Sequence, residues 1–235
     1  MTVTLLVGPA DLDARELVVE GDAYQHLFRA ARAATGDLLR VVDGRGRARE
    51  GTVAAVERRR ATVTLGAEAP PCEPRLELEL LVAAPRPSRA SWLVEKGTEL
   101  GVRAFRFLDC ERSARSLDSA DLERLRRVAR AAVEQCGRAW LPEVTGLHGI
   151  TEVLAVHGGG RALVLDPGAR TPLAAVTGAD LPSSIVVGPE GGFTPGELDL
   201  CVSAGTASAR LVPAVLRVET AALAAASCLI LSVER

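Results

Sequence analysis

The chain contains no asparagine and only one lysine, Lys96, against 27 arginines. Any catalytic role that needs an Asn amide is therefore excluded. The five cysteines (Cys72, Cys110, Cys136, Cys201 and Cys228) are scattered, with no C-x-x-C pair and no Cys/His ligand spacing. That argues against a zinc site or a disulfide framework and for reduced thiols in a cytoplasmic protein. No clustered metal ligands appear, so no metal is expected. The longest apolar stretch, near residues 221–233, is too short to span a bilayer and carries Ser227. The N-terminal residues lack a basic region followed by a long apolar run, so no signal peptide and no membrane association are expected. Net charge is only -2, which removes any global electrostatic argument for nucleic acid.

What is present suits a soluble globular protein. Of 235 residues, 48% are hydrophobic and 25% charged, enough for one large or two modest domains with a substantial core. Residues 1–70 read as short apolar runs broken by Gly and Asp, with one helix-like stretch at 23–34, and imply a small β-rich barrel. Asp43-Gly44 is a hairpin-turn signal. Residues 69–74, Ala-Pro-Pro-Cys-Glu-Pro, form a stiff linker. From residue 75 to 235 strands and helices alternate, as in an α/β domain with a mainly parallel sheet. Its helices are expected at 88–100 (capped by Ser88), 121–137, 150–156, 195–204 and 218–234.

Charge clusters locally. Between residues 23 and 60 nine arginines stand against four acids. Arg45, Arg47 and Arg49 alternate and would share one face of a strand. His26, Arg29 and Arg32 would share one side of a helix. Guanidinium forks suit phosphate, so these residues are candidate RNA ligands; a solvated basic edge explains them equally well. In the second domain Glu95, Lys96 and Glu99 lie on one helix, where a salt-bridged face is the simple account. Glu134-Gln135-Cys136-Gly137-Arg138 closes the next helix, and Cys136 has no histidine nearby to activate it.

The most informative segment is IVVGPEGGFTPGELDL, residues 185–200. An apolar strand stops at a Gly-Pro-Glu-Gly-Gly loop. A helix start follows, with Thr194 as N-cap, Pro195 at the first position and Glu197 placed for a capping box. The loop presents bare amides beside a positive helix end, where a ligand can approach without meeting a Cβ. A P-loop is excluded because its lysine is missing. Downstream, LVPAVLRVET (211–220) places Arg217 and Glu219 at the entry of an Ala-rich helix. Glu219 suits the helix dipole; Arg217 does not, so another interaction must hold it.

VVGPEGGF followed by VLRVETA resembles the C-terminal signature of the ribosomal RNA small subunit methyltransferase E family. The resemblance extends through WLVEKGTELGV (92–102), CERSARS (110–116), AVEQCGR (132–138) and HLFRAAR with TGD (26–37), nearly the whole chain in order. It implies a PUA-like β-barrel joined to a SPOUT α/β domain with a C-terminal trefoil knot. It also implies a homodimer that methylates N3 of a uridine in 16S ribosomal RNA with S-adenosyl-L-methionine. By the same resemblance the cofactor would be held by Leu165, Asp166, Gly188, Glu190, Gly191, Gly192, Leu211, Pro213, Leu216 and Arg217. Arg217 would orient the uracil, and Glu219 would orient Arg217 or relay a proton. RNA would be met by His26, Arg29, Arg32, Arg45, Arg47, Lys96 and Arg138. The sequence departs from the family pattern at Val212, Ala214 and Val218, and carries Arg89 where lysine is usual. Ribose 2′-O-methyltransferases of the same superfamily use an asparagine, which this chain lacks. A catalytically weakened RNA-binding assembly factor is the other alternative.

Overall fold

A computed structural model describes residues 3–30, 33–113, 117–157, 161–176 and 181–234, without the side chains of His26, Arg29, Ala30 and Leu147. Arg32, one of the expected RNA ligands, lies outside the described residues. The chain forms two compact units, Met1–Glu73 with Arg130–Leu141, and Pro74–Ala129 with Pro142–Arg235.

In the first unit, β1 (Val3–Leu6), β2 (Glu16–Glu20), β3 (Leu38–Val42), β4 (Ala48–Val56) and β5 (Arg60–Glu68) form one sheet in the order β1-β3-β4-β5-β2. β1 runs parallel to β3; the other pairs are antiparallel. Alternation along β2 and β5 turns Leu17, Val19, Ala61, Val63 and Leu65 inward, onto a core with Leu5, Leu12, Val41 and Val53. The helical stretch begins earlier than expected, as α1 (Gly21–Tyr24), and continues as a wide π-helical turn over Gln25–Ala30. Tyr24 and Phe28 stack there, ring centroids 5.2 Å apart.

The expected tight turn at Asp43-Gly44 is a longer loop between β3 and β4. The Asp43 carboxylate accepts from the amides of Arg45 (2.8 Å) and Arg47 (3.1 Å). Arg45 and Arg47 therefore precede β4 and do not share a strand face with Arg49. The Arg49 guanidinium donates to the carbonyls of Leu12, Ala14 and Gly66, which makes it a brace within this unit.

The second unit contains a sheet of β6 (Glu79–Ala83), β7 (Ala104–Asp109), β8 (Glu143–Gly149), β9 (Ala162–Leu165), β10 (Ser184–Val187) and β11 (Ala207–Ala209), ordered β11-β9-β10-β6-β7-β8. Every pair is parallel. Both faces are covered, which is why β6 and β10 read as unbroken apolar runs. The helices are α2 (Pro87–Leu100), α3 (Ser119–Cys136), α4 (Ile150–His157), α5 (Pro195–Ser203) and α6 (Val218–Val233). The last turns of α3, from Arg130, belong to the first unit. α2 starts one residue before the expected Ser88 cap: Arg86 holds the cap position through its backbone, and Pro87, preset in φ, takes the first turn. β11 stops at Ala209, and the residues beyond it form an irregular segment that leads into α6.

Candidate active site

A cavity of about 220 Å³ opens beyond the carboxyl ends of β9, β10 and β11, whose last residues Leu165, Val187 and Ala209 line it. Ligand sites of parallel α/β sheets lie outside this end. Three segments build the walls: Leu165 to Pro167, the loop from Gly188 to Phe193, and the irregular stretch from Leu211 to Leu216. Val218 and Ala221 of α6 complete it.

The glycine loop is shaped by its own sequence. A Cβ on Gly188 would stand 2.9 Å from the Phe193 ring, so close approach of that ring requires glycine. Gly192 sits at φ +69°, a conformation that costs other residues energy. The loop then enters α5 through the capping box read from the sequence. Thr194 Oγ1 accepts from the Glu197 amide (3.3 Å), and Glu197 Oε2 accepts from the Thr194 amide (2.8 Å). Glu197 does more: its Oε1 accepts from the Glu111 amide at 2.9 Å. Arg112 completes the tie by donating to the Gly191 carbonyl at 3.1 Å. Neither connection was expected from local sequence, although both residues fall in the CERSARS stretch.

The described cavity lining holds two carboxylates, Asp166 and Glu190, and no Lys, Arg or His. Its remaining surface is largely apolar. Such a lining repels phosphate and accommodates a cationic or neutral ligand. Of the residues expected to hold a cofactor, Leu165, Asp166, Gly188, Glu190, Gly192, Leu211 and Leu216 line the cavity; Gly191, Pro213 and Arg217 adjoin it without lining it. Val212, Ala214 and Val218, the departures from the family pattern, all line it.

Arg217 is exposed and holds the N-cap position of α6, its carbonyl accepting from the Ala221 amide at 2.9 Å. The expected contact between Glu219 and Arg217 is replaced by another. Glu219 is buried, and its Oε1 accepts from Arg89 Nη1 at 2.8 Å. Its other oxygen is buried without a hydrogen-bond partner among the described residues.

The expected RNA ligands fare differently. Arg138 is a correction: it is 3% exposed, and its guanidinium is committed to Glu73 at 2.7 Å, so it cannot meet RNA. Lys96 donates to Glu95 and Glu99, both at 2.8 Å, which offset its charge and raise its pKa. Arg47 pairs with Asp13 and Asp43. Arg45 is exposed, and its side chain makes no ion pair among the described residues.

Two thiols lie beneath the loop in one apolar cluster. Burial, with Glu197 adding to it, pushes Cys110 up to about 12 and Cys201 up to about 11, from an ordinary value of 9.0. Both are protonated and inert at neutral pH. Their favourable contribution to stability is complete below pH 9 and is lost as pH rises toward those values. Alkylation of the native protein at pH 7.5 should therefore modify the exposed Cys72 and Cys228 first, with Cys110 and Cys201 reacting only on unfolding. Mass spectrometry of the labelled peptides checks this.

Among the described residues there is no group of three or more His, Cys, Asp or Glu placed to hold a metal ion, and no helix is long and apolar enough to cross a membrane.

Residues 72–230 match the family model described as RNA methyltransferase domain, and residues 19–66 the one described as RNA methyltransferase PUA domain. The chain is 34% identical over 220 residues to ribosomal RNA small subunit methyltransferase E of Mycobacterium bovis, covering 88% of this chain and 83% of that protein. To the protein of the same name from Synechocystis it is 31% identical over 235 residues, covering 94% and 75%. Among solved structures it resembles a ribosomal RNA small subunit methyltransferase E from Neisseria gonorrhoeae bound to S-adenosyl methionine. The TM-score is 0.85 at 25% identity, over 97% of this chain and 96% of that one.

Proposed function

Because this chain belongs to the ribosomal RNA small subunit methyltransferase E family, we propose that it methylates N3 of a uridine in 16S ribosomal RNA, with S-adenosyl-L-methionine as donor. The fold, a PUA-like domain and a SPOUT α/β domain, is the family's. The observation that carries the reading is the cavity's lining. Two acids and no base favour a ligand bearing a sulfonium and an ammonium, and disfavour a nucleotide phosphate.

The residues present fit that donor. Leu165, Leu211 and Leu216 offer apolar surface for a purine, and the 188–192 loop offers backbone groups unobstructed by side chains. Asp166 and Glu190 can accept from hydroxyl and ammonium groups. When bound, the donor supplies a methyl group on a good leaving group, so no metal is needed. Uracil N3 must lose its proton, which passes to solvent, as it is alkylated. Arg217, which makes no ion pair among the described residues, orients the base and stabilises the anion that develops on it. A base within folded RNA has to be splayed out to reach it. In the first unit Arg45, with the stretch that carries His26, Arg29 and Arg32, meets the RNA backbone. A trefoil knot, a homodimer and a cytoplasmic setting belong to the same reading.

A second reading has one observation behind it. Val212, Ala214 and Val218 all face the cavity, as they would in a factor that binds RNA but has lost turnover. Calorimetric titration with S-adenosyl-L-methionine separates the two. Binding is expected for the native chain. Ala214→Trp, which fills the cavity from an exposed loop, should weaken it roughly 100-fold or more, because the aromatic ring takes the ligand's volume. Mass mapping of 16S ribosomal RNA treated with the protein and donor should then show one methyl group added to one uridine. Absence of both binding and methylation would overturn the proposal.

A further inference from the structure

Glu219 presents an anomaly: a carboxylate with 8% of its side chain exposed, one oxygen bound to Arg89 and the other without a hydrogen-bond partner among the described residues. A buried anion is held by what balances it, and here that is one guanidinium together with the positive end of α6. The two residues are 130 positions apart and sit in the first turns of α2 and α6. The first turn of α2 is braced independently: Arg124 Nη2 donates to the Pro87 carbonyl at 3.3 Å. Arg89 thus reaches from a fixed turn to the start of α6. There Glu219 follows Val218, which lines the cavity, and stands two residues after Arg217.

We infer that Arg89 is a positioning residue of the methyl-transfer site: its ion pair with Glu219 fixes the first turn of α6 and, through it, the direction of Arg217. The inference rests on the role proposed for Arg217. Glu219 is a positioning residue by the same logic, because it faces α2 and does not line the cavity. Lysine at position 89 would keep the charge but replace the planar guanidinium with a freely rotating ammonium, so it should hold Glu219 less rigidly.

The test compares four variants with the native chain by thermal melting, donor calorimetry and single-turnover methylation of 16S ribosomal RNA. Arg89→Ala strands the Glu219 charge and should lower both melting temperature and turnover, the latter roughly ten- to hundredfold, as misplacement of a reacting group does. Donor affinity should change less than about threefold, since the cavity's walls at 165–167 and 188–193 are untouched. Glu219→Gln should lower turnover without a comparable loss of stability. Arg89→Lys should recover part of the turnover. The double variant Arg89→Ala/Glu219→Gln has no stranded charge, so its melting temperature should recover while its turnover stays low. Recovery of turnover together with stability in the double variant would make the pair merely structural and overturn the inference. So would native turnover in Arg89→Ala. If the native chain itself neither binds the donor nor methylates the RNA, the proposed function is what fails.

Discussion

Glu73→Ala should destabilise the first unit by about 3–5 kcal/mol, the cost of breaking a buried ion pair by removing one member. Glu73 Oε2 accepts from Arg138 Nε (3.0 Å) and Nη2 (2.7 Å), while Oε1 accepts from the amides of Ala139 and Trp140, both at 2.8 Å. One side chain at the end of the 1–73 segment thus satisfies the turn that follows α3. The Arg138 side chain is 4% exposed, so removal of the carboxylate takes one buried partner from the guanidinium and from two amides. For a unit of this size the loss should lower its melting temperature by more than about 10 °C. Fluorescence of Trp140, with Trp92 replaced by Phe, follows that transition. Glu73→Gln keeps an acceptor for the amides yet takes this countercharge from the buried Arg138, and should recover only part of the loss. Glu73→Gln with Arg138→Met removes the buried charge and should be milder than Glu73→Ala. Equal destabilisation by the double variant and by Glu73→Ala would mean that the charge pair is not the source.

That network marks where sequence reading stops. The capping box at Thr194 and Glu197 was legible because both partners lie within one turn, and local hydrogen-bond geometry fixes their spacing. The 188–192 loop was legible for a similar reason: glycine beside an apolar strand has few structural meanings. Most walls of the cavity follow from it, since a parallel sheet brings the ends of β9, β10 and β11 together. Arg138 looked like an RNA ligand because nothing in AVEQCGR announces a carboxylate 65 residues upstream. Glu219 looked like a partner for Arg217 because sequence proximity was the only guide, whereas a helix turns adjacent side chains to different faces. The alternation of Arg45, Arg47 and Arg49 imitated a strand, but the Asp43 side chain captured the local amides first and delayed β4 to Ala48. In each case a tertiary or side-chain partner overrode a local pattern.

Arg217→Ala should reduce methylation about 100- to 1000-fold, the usual effect of removing one group that stabilises charge in the transition state. The argument starts from a conflict. A cation at a helix N-terminus is opposed by the helix dipole, and Arg217 has no side-chain cap bond and no ion pair to offset that among the described residues. Such an arrangement brings no stability to the free protein, so loss of the side chain should leave the melting temperature unchanged or slightly raised. Donor affinity should also persist, because Arg217 does not line the cavity. The loss should therefore fall on kcat, with the donor dissociation constant within about threefold of native, which marks an interaction made mainly in the transition state. Arg217→Lys keeps the charge without the planar fork and should restore only part of the rate. Single-turnover assays at saturating donor and RNA, beside calorimetry on the same variants, give both quantities. Near-native turnover in Arg217→Ala would remove this residue from the reaction, and with it the reason for Arg89 to hold the start of α6 in place.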